Sequence, residues 1–246
     1  MYDRFAEVYD RLMDDFDYPA WAQYYLRLLE RVGCRPQTLC ECGCGTGSMT
    51  LEFARRGIRT TGVDLSGEML AQAQKKARKA GLMIPFVQQD MTRLTLPRRV
   101  DAILACCDGV NYLTDPEQVR AFFRAARDWL KPHGALAFDV STERKLLETM
   151  GDAIFGEDRD EVTYLWQNRR EGRLVHLELT FFVRREDGLY ERFDESQTQR
   201  AHGLEELTQA LRECGFEEIA VFGDQTFDPP APGDLRAHFV ARRGGE

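Results

Sequence analysis

The sequence predicts an α/β fold: a mostly parallel seven-stranded sheet with helices on both faces, plus an inserted antiparallel β-ribbon of about three strands. Three observations lead there. Strand-like and helix-like apolar periods alternate five times between Thr38 and Val140, the pattern of a parallel sheet whose crossovers are helices. A glycine turn, Gly43 to Gly47, sits where the first strand meets the first crossover helix. Beyond Val140 the rhythm changes to consecutive strand-like segments joined by tight turns.

Tyr2 to Met13 reads as a short helix, with Phe5, Val8, Tyr9 and Leu12 at helical spacing. A second helix begins after Tyr18-Pro19 and runs toward Val32, carried by the stripe Trp21, Tyr24, Tyr25, Leu28 and Leu29. Thr38 to Cys42 is the first strand. The helix after the glycine turn runs to Arg56 and is broken by Gly57. Arg59 to Val63 is the second strand, Gly67 to Ala80 a helix closed by Gly81, Ile84 to Gln88 the third strand and Val100 to Cys106 the fourth. Pro116 to Leu130 is a helix with proline at its start and Pro132 just past its end. Gly134 to Val140 is the fifth strand. Glu161 to Arg170, Arg173 to Arg184 and Leu189 to Ala201 make the ribbon, turning at Glu171-Gly172 and Glu186-Asp187-Gly188. A helix, Leu204 to Cys214, and two strands, Phe216 to Phe222 and Ala237 to Ala241, complete the chain.

The 246 residues fit one α/β domain with an insertion, large enough to stay folded without disulfides or a metal. A net charge of −8 argues against a general binder of nucleic acid or anionic membrane. The ribbon repeats that balance, with 12 acids against 8 Arg and no Lys over residues 151–200. Arg nonetheless supplies 28 of the 33 basic side chains, which reads as composition bias on a solvated surface. The longest apolar run, Ala102 to Cys107, is far short of a membrane span. The N-terminal residues lack the basic and apolar regions of a signal peptide. Seven cysteines in two clusters do not make a disulfide framework and point to a reducing cytoplasm. Cys40, Cys42 and Cys44 alternate on one strand face, yet no paired Cys-x-x-Cys or nearby His completes a ligand set, so no metal is expected.

Glycine at 43, 45 and 47 lets the backbone turn tightly and a ligand approach it closely. Asp64, at the end of the second strand and 17 residues past Gly47, can accept from the two hydroxyls of a ribose. The dinucleotide fingerprint Gly-x-Gly-x-x-Gly would need glycine at position 48, where Ser48 stands. Glu41, two residues before the first glycine, would repel a pyrophosphate but suits the ammonium of an amino-acid tail. S-adenosylmethionine has that tail, a ribose and no phosphate, so charge favours it over NAD.

Glu41 to Gly47, Gly62-Val63-Asp64-Leu65-Ser66 and Gln88-Gln89-Asp90-Met91 resemble the three cofactor motifs of class I S-adenosylmethionine-dependent methyltransferases. Phe5 to Met13, Cys107 to Leu113, Tyr164 to Asn168 and Leu179 to Phe182 extend the likeness to a subgroup of small bacterial methyltransferases, from Met1 to about Ala241. The resemblance implies a Rossmann-like core over residues 36–141 and 202–246. It also implies N-terminal helices (1–35) covering the site and an inserted lid or dimer contact (142–201). It implies that Glu41, Gly43 and Gly45 line the methionine end of the cofactor and that Asp64 holds the ribose, with Leu65 against the adenine. Asp90 would accept from the adenine amine, the Met91 backbone would meet a ring nitrogen, and the Cys106 backbone would lie beneath the sulfonium. Cysteine at 42 and 44 departs from the commonest pattern but is small enough for the turn.

Methyl transfer from a sulfonium needs the nucleophile aligned and desolvated, and a base only where it starts protonated. The loop after the fourth strand is where ligands of such sheets bind. It offers Asp108, to attract an amine or take a proton, and Asn111, to orient a carbonyl; a turn acid and a helix cap are the competing roles. Tyr9 either closes over the sulfonium by cation–π contact or packs in the core. His202 is the histidine with the best prospect of facing the site, whereas His133 belongs to a turn. The expected activity is methyl transfer to a small-molecule acceptor, such as an amine, by a monomer or homodimer. An RNA or protein substrate, or cofactor binding without turnover, are the alternatives.

Overall fold

The computed structural model describes residues 5–245, and the expected helix start at Tyr2 lies outside them. Two short helices, α1 (Phe5–Leu12) and α2 (Tyr18–Glu30), precede the alternating region. That region runs β1 (Thr38–Cys42), α3 (Ser48–Arg55), β2 (Arg59–Asp64), α4 (Gly67–Lys79), β3 (Phe86–Gln88), β4 (Val100–Ala105), α5 (Pro116–Trp129) and β5 (Leu130–Ser141). After it come β6 (Ile154–Asp158), β7 (Val162–Glu171), β8 (Leu174–Arg184), β9 (Tyr190–Arg200), α6 (Leu204–Glu213), β10 (Phe216–Phe222) and β11 (Arg236–Arg243). Side chains set several helix starts. Asp17 accepts from the Ala20 N–H at 2.9 Å ahead of α2, and Ser66 from the Met69 N–H at 3.2 Å ahead of α4. At α5, Asp115 accepts from the Glu117 N–H at 2.8 Å, while Gln118 accepts from the Asp115 N–H at 3.1 Å.

Seven strands form one sheet in the order β10-β11-β5-β4-β1-β2-β3. The five from β3 to β5 are parallel, and β11 runs antiparallel to both of its neighbours. Strand order reverses between β1 and β4, so the carboxyl ends of those two strands open on the crevice where ligands of such sheets bind. Apolar side chains cover both faces of the central strands. Phe122, Phe123, Leu207 and Leu211 of α5 and α6 pack with Phe138 and Phe239 on one face. Tyr25, Leu28, Leu29 and Phe53 of α2 and α3 pack with Leu39 and Leu104 on the other. Cys40 and Cys42 share the first of these faces, and all seven cysteines are free. Among the described residues no group of His, Cys, Asp and Glu is placed to hold a metal ion, and no helix is long and apolar enough to cross a membrane.

The insertion is a separate antiparallel sheet of four strands, β6-β7-β8-β9, rather than about three. The additional strand, β6, is exposed at every residue, so it has none of the apolar alternation by which strands are recognised. Val175, Leu177, Leu179 and Phe181 face inward and form a third core with Phe5 and Val8 of α1 and Met69 of α4. The fifth strand of the core also starts earlier than expected, at Leu130. A register shift against β4 between Val100 and Ala102 and a positive φ of 62° at His133 carry Pro132 and His133 within the strand.

Candidate active site

The site is built on the carboxyl end of β1. Gly43, Gly45 and Gly47 all have positive φ, 66°, 52° and 75°, a conformation that side-chain-bearing residues resist. The three differ in what lies beside them. A Cβ at Gly47 would meet the Ala73 Cβ at 2.9 Å and the Phe86 ring at 3.0 Å, so this glycine serves helix packing. A Cβ at Gly43 or Gly45 would meet nothing within 4 Å, so there the backbone faces open space.

Two carboxylates bracket that space. Asp64, ending β2, accepts from the Gly45 N–H at 2.7 Å through Oδ2 and from the Ser66 N–H at 2.9 Å through Oδ1. Burial raises its pKa, opposed by these backbone bonds. Glu41, in β1, is buried beneath the turn and accepts from the Thr50 hydroxyl. Burial pushes it up to about 8, against the lowering effect of the Thr50 and Cys106 hydrogen bonds. Leu65 is 66% exposed, unusual for a leucine, and its carbonyl is held by Gln88 Nε2 at 2.8 Å. Asp90 caps the short turn Met91–Arg93 by accepting from the Thr92 N–H and hydroxyl, both at 2.8 Å. Cys106 is buried at the end of β4, beside Glu41.

Helix α1 is pinned onto the turn. Lys76 of α4 donates to Asp10 at 2.9 Å, Thr46 at 2.9 Å and Ser48 at 2.7 Å, and the Thr46 hydroxyl donates to Asp10 at 2.7 Å. Tyr9 is thereby fixed near the turn, partly buried and edge-on to Phe5 at 5.4 Å. Arg11, next to Asp10, ties the same end of α1 to the turn between β6 and β7 through Glu161 at 2.9 Å.

Beyond β4 and β5 lies a polar cluster. Asp139 of β5 has no solvent exposure and accepts from the Tyr25 hydroxyl, the Arg236 guanidinium, the Cys107 N–H at 2.7 Å and the Asp108 N–H at 2.9 Å. Burial alone would raise its pKa, but Arg236 and the hydrogen bonds hold it below the ordinary carboxylate value. These bonds also hold two consecutive non-glycine residues, Cys107 and Asp108, at positive φ of 58° and 52°. Such a conformation persists only where its surroundings enforce it. It places the Asp108 carboxylate against Ser141 Oγ at 2.7 Å and Arg236 Nη2 at 3.4 Å, with Lys145 Nζ at 3.8 Å. The Arg236 guanidinium lies over the Trp21 ring at 5.2 Å. Asn111 is wholly buried: its Nδ2 donates to the carbonyls of Ser141 at 3.1 Å and Arg200 at 2.9 Å, and its Oδ1 accepts from the Ser141 N–H at 2.9 Å. It ties the β4 loop to β5 and to the end of the inserted sheet.

The comparisons with known proteins agree with this geometry. Residues 39–134 match the family model described as a methyltransferase domain. A protein of Geobacillus sp. (strain WCH70) that bears a methyltransferase name is 37% identical over 98% of this chain and 99% of its own. The crystal structure of an S-adenosylmethionine-dependent methyltransferase from Clostridium acetobutylicum superposes with a TM-score of 0.90 at 31% identity, covering 99% of each chain. The chain belongs to the S-adenosylmethionine-dependent methyltransferases. The dTDP-3-amino-3,4,6-trideoxy-alpha-D-glucopyranose N,N-dimethyltransferase of Streptomyces venezuelae is a more distant relative. It is 28% identical over 72% of this chain and 75% of its own.

The residues present fit the cofactor of this methyltransferase. A turn open above Gly43 and Gly45, bracketed by carboxylates, suits a ligand with an ammonium and a ribose. Glu41, Gly43, Gly45, Asp64, Leu65 and Cys106 gather at the ends of β1, β2 and β4, and Asp90 and Met91 follow β3. His202 is not among them. It is buried in a small cleft beside α5 and α6 with Pro116, Arg120 and Leu207, and burial lowers its imidazole to about 4. Sequence reasoning missed Tyr25, Asp139, Lys145 and Arg236. They come from four separate elements and meet only in three dimensions.

Proposed function

We propose that this methyltransferase acts on a small-molecule amine, with Asp108 facing the acceptor. The observation that carries the reading is the carboxylate of Asp108, held at the carboxyl end of β4 by a strained backbone and a buried network, with one oxygen, Oδ1, taking no hydrogen bond among the described residues. A carboxylate so placed attracts an ammonium and stands ready to take the proton an amine sheds on becoming a nucleophile. The Streptomyces venezuelae relative, named for an amino-sugar substrate, supports an amine acceptor.

On this reading Glu41 receives the cofactor's ammonium, Gly43 and Gly45 leave room for its methionine end, and Asp64 accepts from the ribose hydroxyls. Leu65 packs on the adenine, Asp90 accepts from its amine, and the backbones of Met91 and Cys106 complete the cradle. S-adenosylmethionine supplies, when bound, a methyl group on a sulfonium. The protein's part is to align the acceptor and exclude water. Asn111 acts as a positioning residue, since its amide is fully engaged in tying the β4 loop to β5 and the insertion. Tyr9 closes the site from α1, and residues 142–201 form with α1 a cover over the cofactor. The reading leaves monomer and homodimer both open to an exposed insertion edge.

Calorimetry with S-adenosylhomocysteine tests the cofactor site: wild type binds and Asp64→Ala binds at least ~100-fold more weakly. Transfer of labelled methyl from S-adenosylmethionine to a panel of small amines and to tRNA tests the acceptor class. Label on the amines supports the reading, and label on tRNA alone overturns it.

A further inference from the structure

Lys145 follows β5 on the π-helical turn Arg144–Met150, whose Leu146 and Met150 are anchored in the third core. Its backbone N–H is fixed by Thr142 Oγ1 at 3.2 Å. The chain has five lysines, and they are engaged very differently. Lys76 donates to three oxygens at the glycine turn, and Lys131 donates to Asp101 at 2.7 Å. Lys75 and Lys79 are solvated on α4. The side chain of Lys145 is only 27% exposed, yet among the described residues its ammonium makes no hydrogen bond. Its single ion-pair neighbour, Asp108 Oδ2, stands 3.8 Å away and is already engaged by Ser141 and Arg236. A part-buried ammonium that reaches solvent and has three donors without a protein hydrogen bond is free to answer the oxygens of a ligand. Its position is the carboxyl end of the sheet, beside Asp108 Oδ1, an idle acceptor.

We propose that Lys145 binds an oxyanion of the acceptor, a carboxylate or phosphate oxygen, while Asp108 Oδ1 faces the acceptor's amine. The inference rests on the reading of this region as the acceptor site, and it narrows the substrate class to compact molecules bearing an amine and an acidic group close together. A neutral amine would leave Lys145 unanswered. A polyanion would meet Asp108 and the half-exposed Asp224, both of which act on Lys145.

The test uses the full chain saturated with S-adenosylhomocysteine. Inorganic phosphate is titrated and followed by the width of its ³¹P resonance; a parallel arm titrates ¹³C-acetate, which separates a phosphate preference from a carboxylate preference. Wild type is expected to broaden at least one of the two, Lys145→Met to bind it at least tenfold more weakly, and Lys131→Met to match wild type. Absence of binding to wild type, or equal binding by Lys145→Met, overturns the proposal. Retained S-adenosylhomocysteine binding by Lys145→Met separates a lost anion site from a lost fold. If wild type binds no S-adenosylhomocysteine, the cofactor reading fails, whereas the anion titration still reports on Lys145.

A second measurement needs no variant. Pyridoxal 5′-phosphate carries an aldehyde and a phosphate; its aldehyde condenses with a lysine amine, releasing water, and borohydride reduces the imine to a stable adduct. Burial lowers the pKa of Lys145, aided by Arg236, and also that of Lys76, but the Lys76 amine is held by Asp10, Thr46 and Ser48 while that of Lys145 is free to react. Peptide mapping is expected to find Lys145 labelled first of the five lysines, with inorganic phosphate or acetate protecting it. Labelling spread evenly over the lysines, or unaffected by both phosphate and acetate, overturns the proposal.

Discussion

Affinity for S-adenosylhomocysteine should climb steeply with pH, because Glu41 must ionise to receive the ligand's ammonium. In the free protein burial raises this carboxyl to about 8. At pH ~6 only about 1% of it is ionised, at pH ~7 about 9%, and at pH ~8 half. Apparent affinity therefore rises ~9-fold over the first of those steps and ~5-fold over the second. Calorimetry near pH ~6.5 in buffers of different ionisation enthalpy should detect about one proton released per ligand bound. Glu41→Gln should bind more weakly and show neither the pH slope nor the proton. Stability of the ligand-free protein runs the other way. A carboxyl whose folded pKa lies above its unfolded value takes up a proton on folding, so its contribution falls as pH rises from the ordinary carboxyl value of 4.5 to about 8. Denaturant unfolding should show that fall in wild type and a flatter profile in Glu41→Gln. A wild-type affinity independent of pH across this window would refute the assignment of Glu41 to the ammonium.

Four other outcomes follow from the same geometry. Asp64→Ala should weaken S-adenosylhomocysteine binding ~100-fold or more by calorimetry, since two hydrogen bonds to a charged acceptor are lost at ~1.5 kcal/mol or more each. Gly45→Ala and Gly47→Ala should separate: the first loses only the ~1–2 kcal/mol that a left-handed alanine costs, and loses binding because its Cβ enters the open cradle. The second should lose ~1–3 kcal/mol beyond that in urea unfolding because its Cβ overlaps Ala73 and Phe86. Arg236→Met should cost ~3–5 kcal/mol of stability by leaving the Asp139 carboxylate buried without its cation. Asn111→Ala, which strands the Ser141 N–H and two carbonyls, should cost ~3 kcal/mol in the same assay.

The framework of the fold was legible because its signals are local. Glycine punctuation and apolar periods placed β1 and β10 at their observed ends and most other elements within a few residues. What escaped has physical reasons. Strand β6 buries nothing, so no alternation announces it. Strand β5 runs through Pro132 and Gly134, residues that normally mark a strand's limit, because a register shift absorbs them. The proposed cofactor side has local sequence signals, since a glycine turn and an acid at the next strand end are close in sequence. The proposed acceptor side has none. Asp139, Tyr25, Arg236 and Lys145 meet only through the sheet order, and their individual sequence surroundings look like ordinary strand, helix and turn. Asn111 illustrates the limit from the other direction: its residue type and loop suggested contact with substrate, whereas its amide braces three elements of the fold.

The chain's negative charge says less about the acceptor than the arrangement of a few buried groups. Many of the arginines sit in pairs on the surface, such as Arg124 with Glu117 or Arg212 with Glu205, where water screens them and each pair contributes little. Arg236 is different in kind, since it lies between Asp139 and Asp108 with little exposure and cannot be exchanged for solvent. In that setting Asp108 and Asp139 are matched by Arg236 and Lys145, with Asp224 acting on Lys145 more weakly from beside His238. On the proposed reading an acceptor meets one idle acceptor oxygen and one idle ammonium close together, whatever the sign of the surface around them. Neutral overall and charged at both ends is the ligand such a site selects.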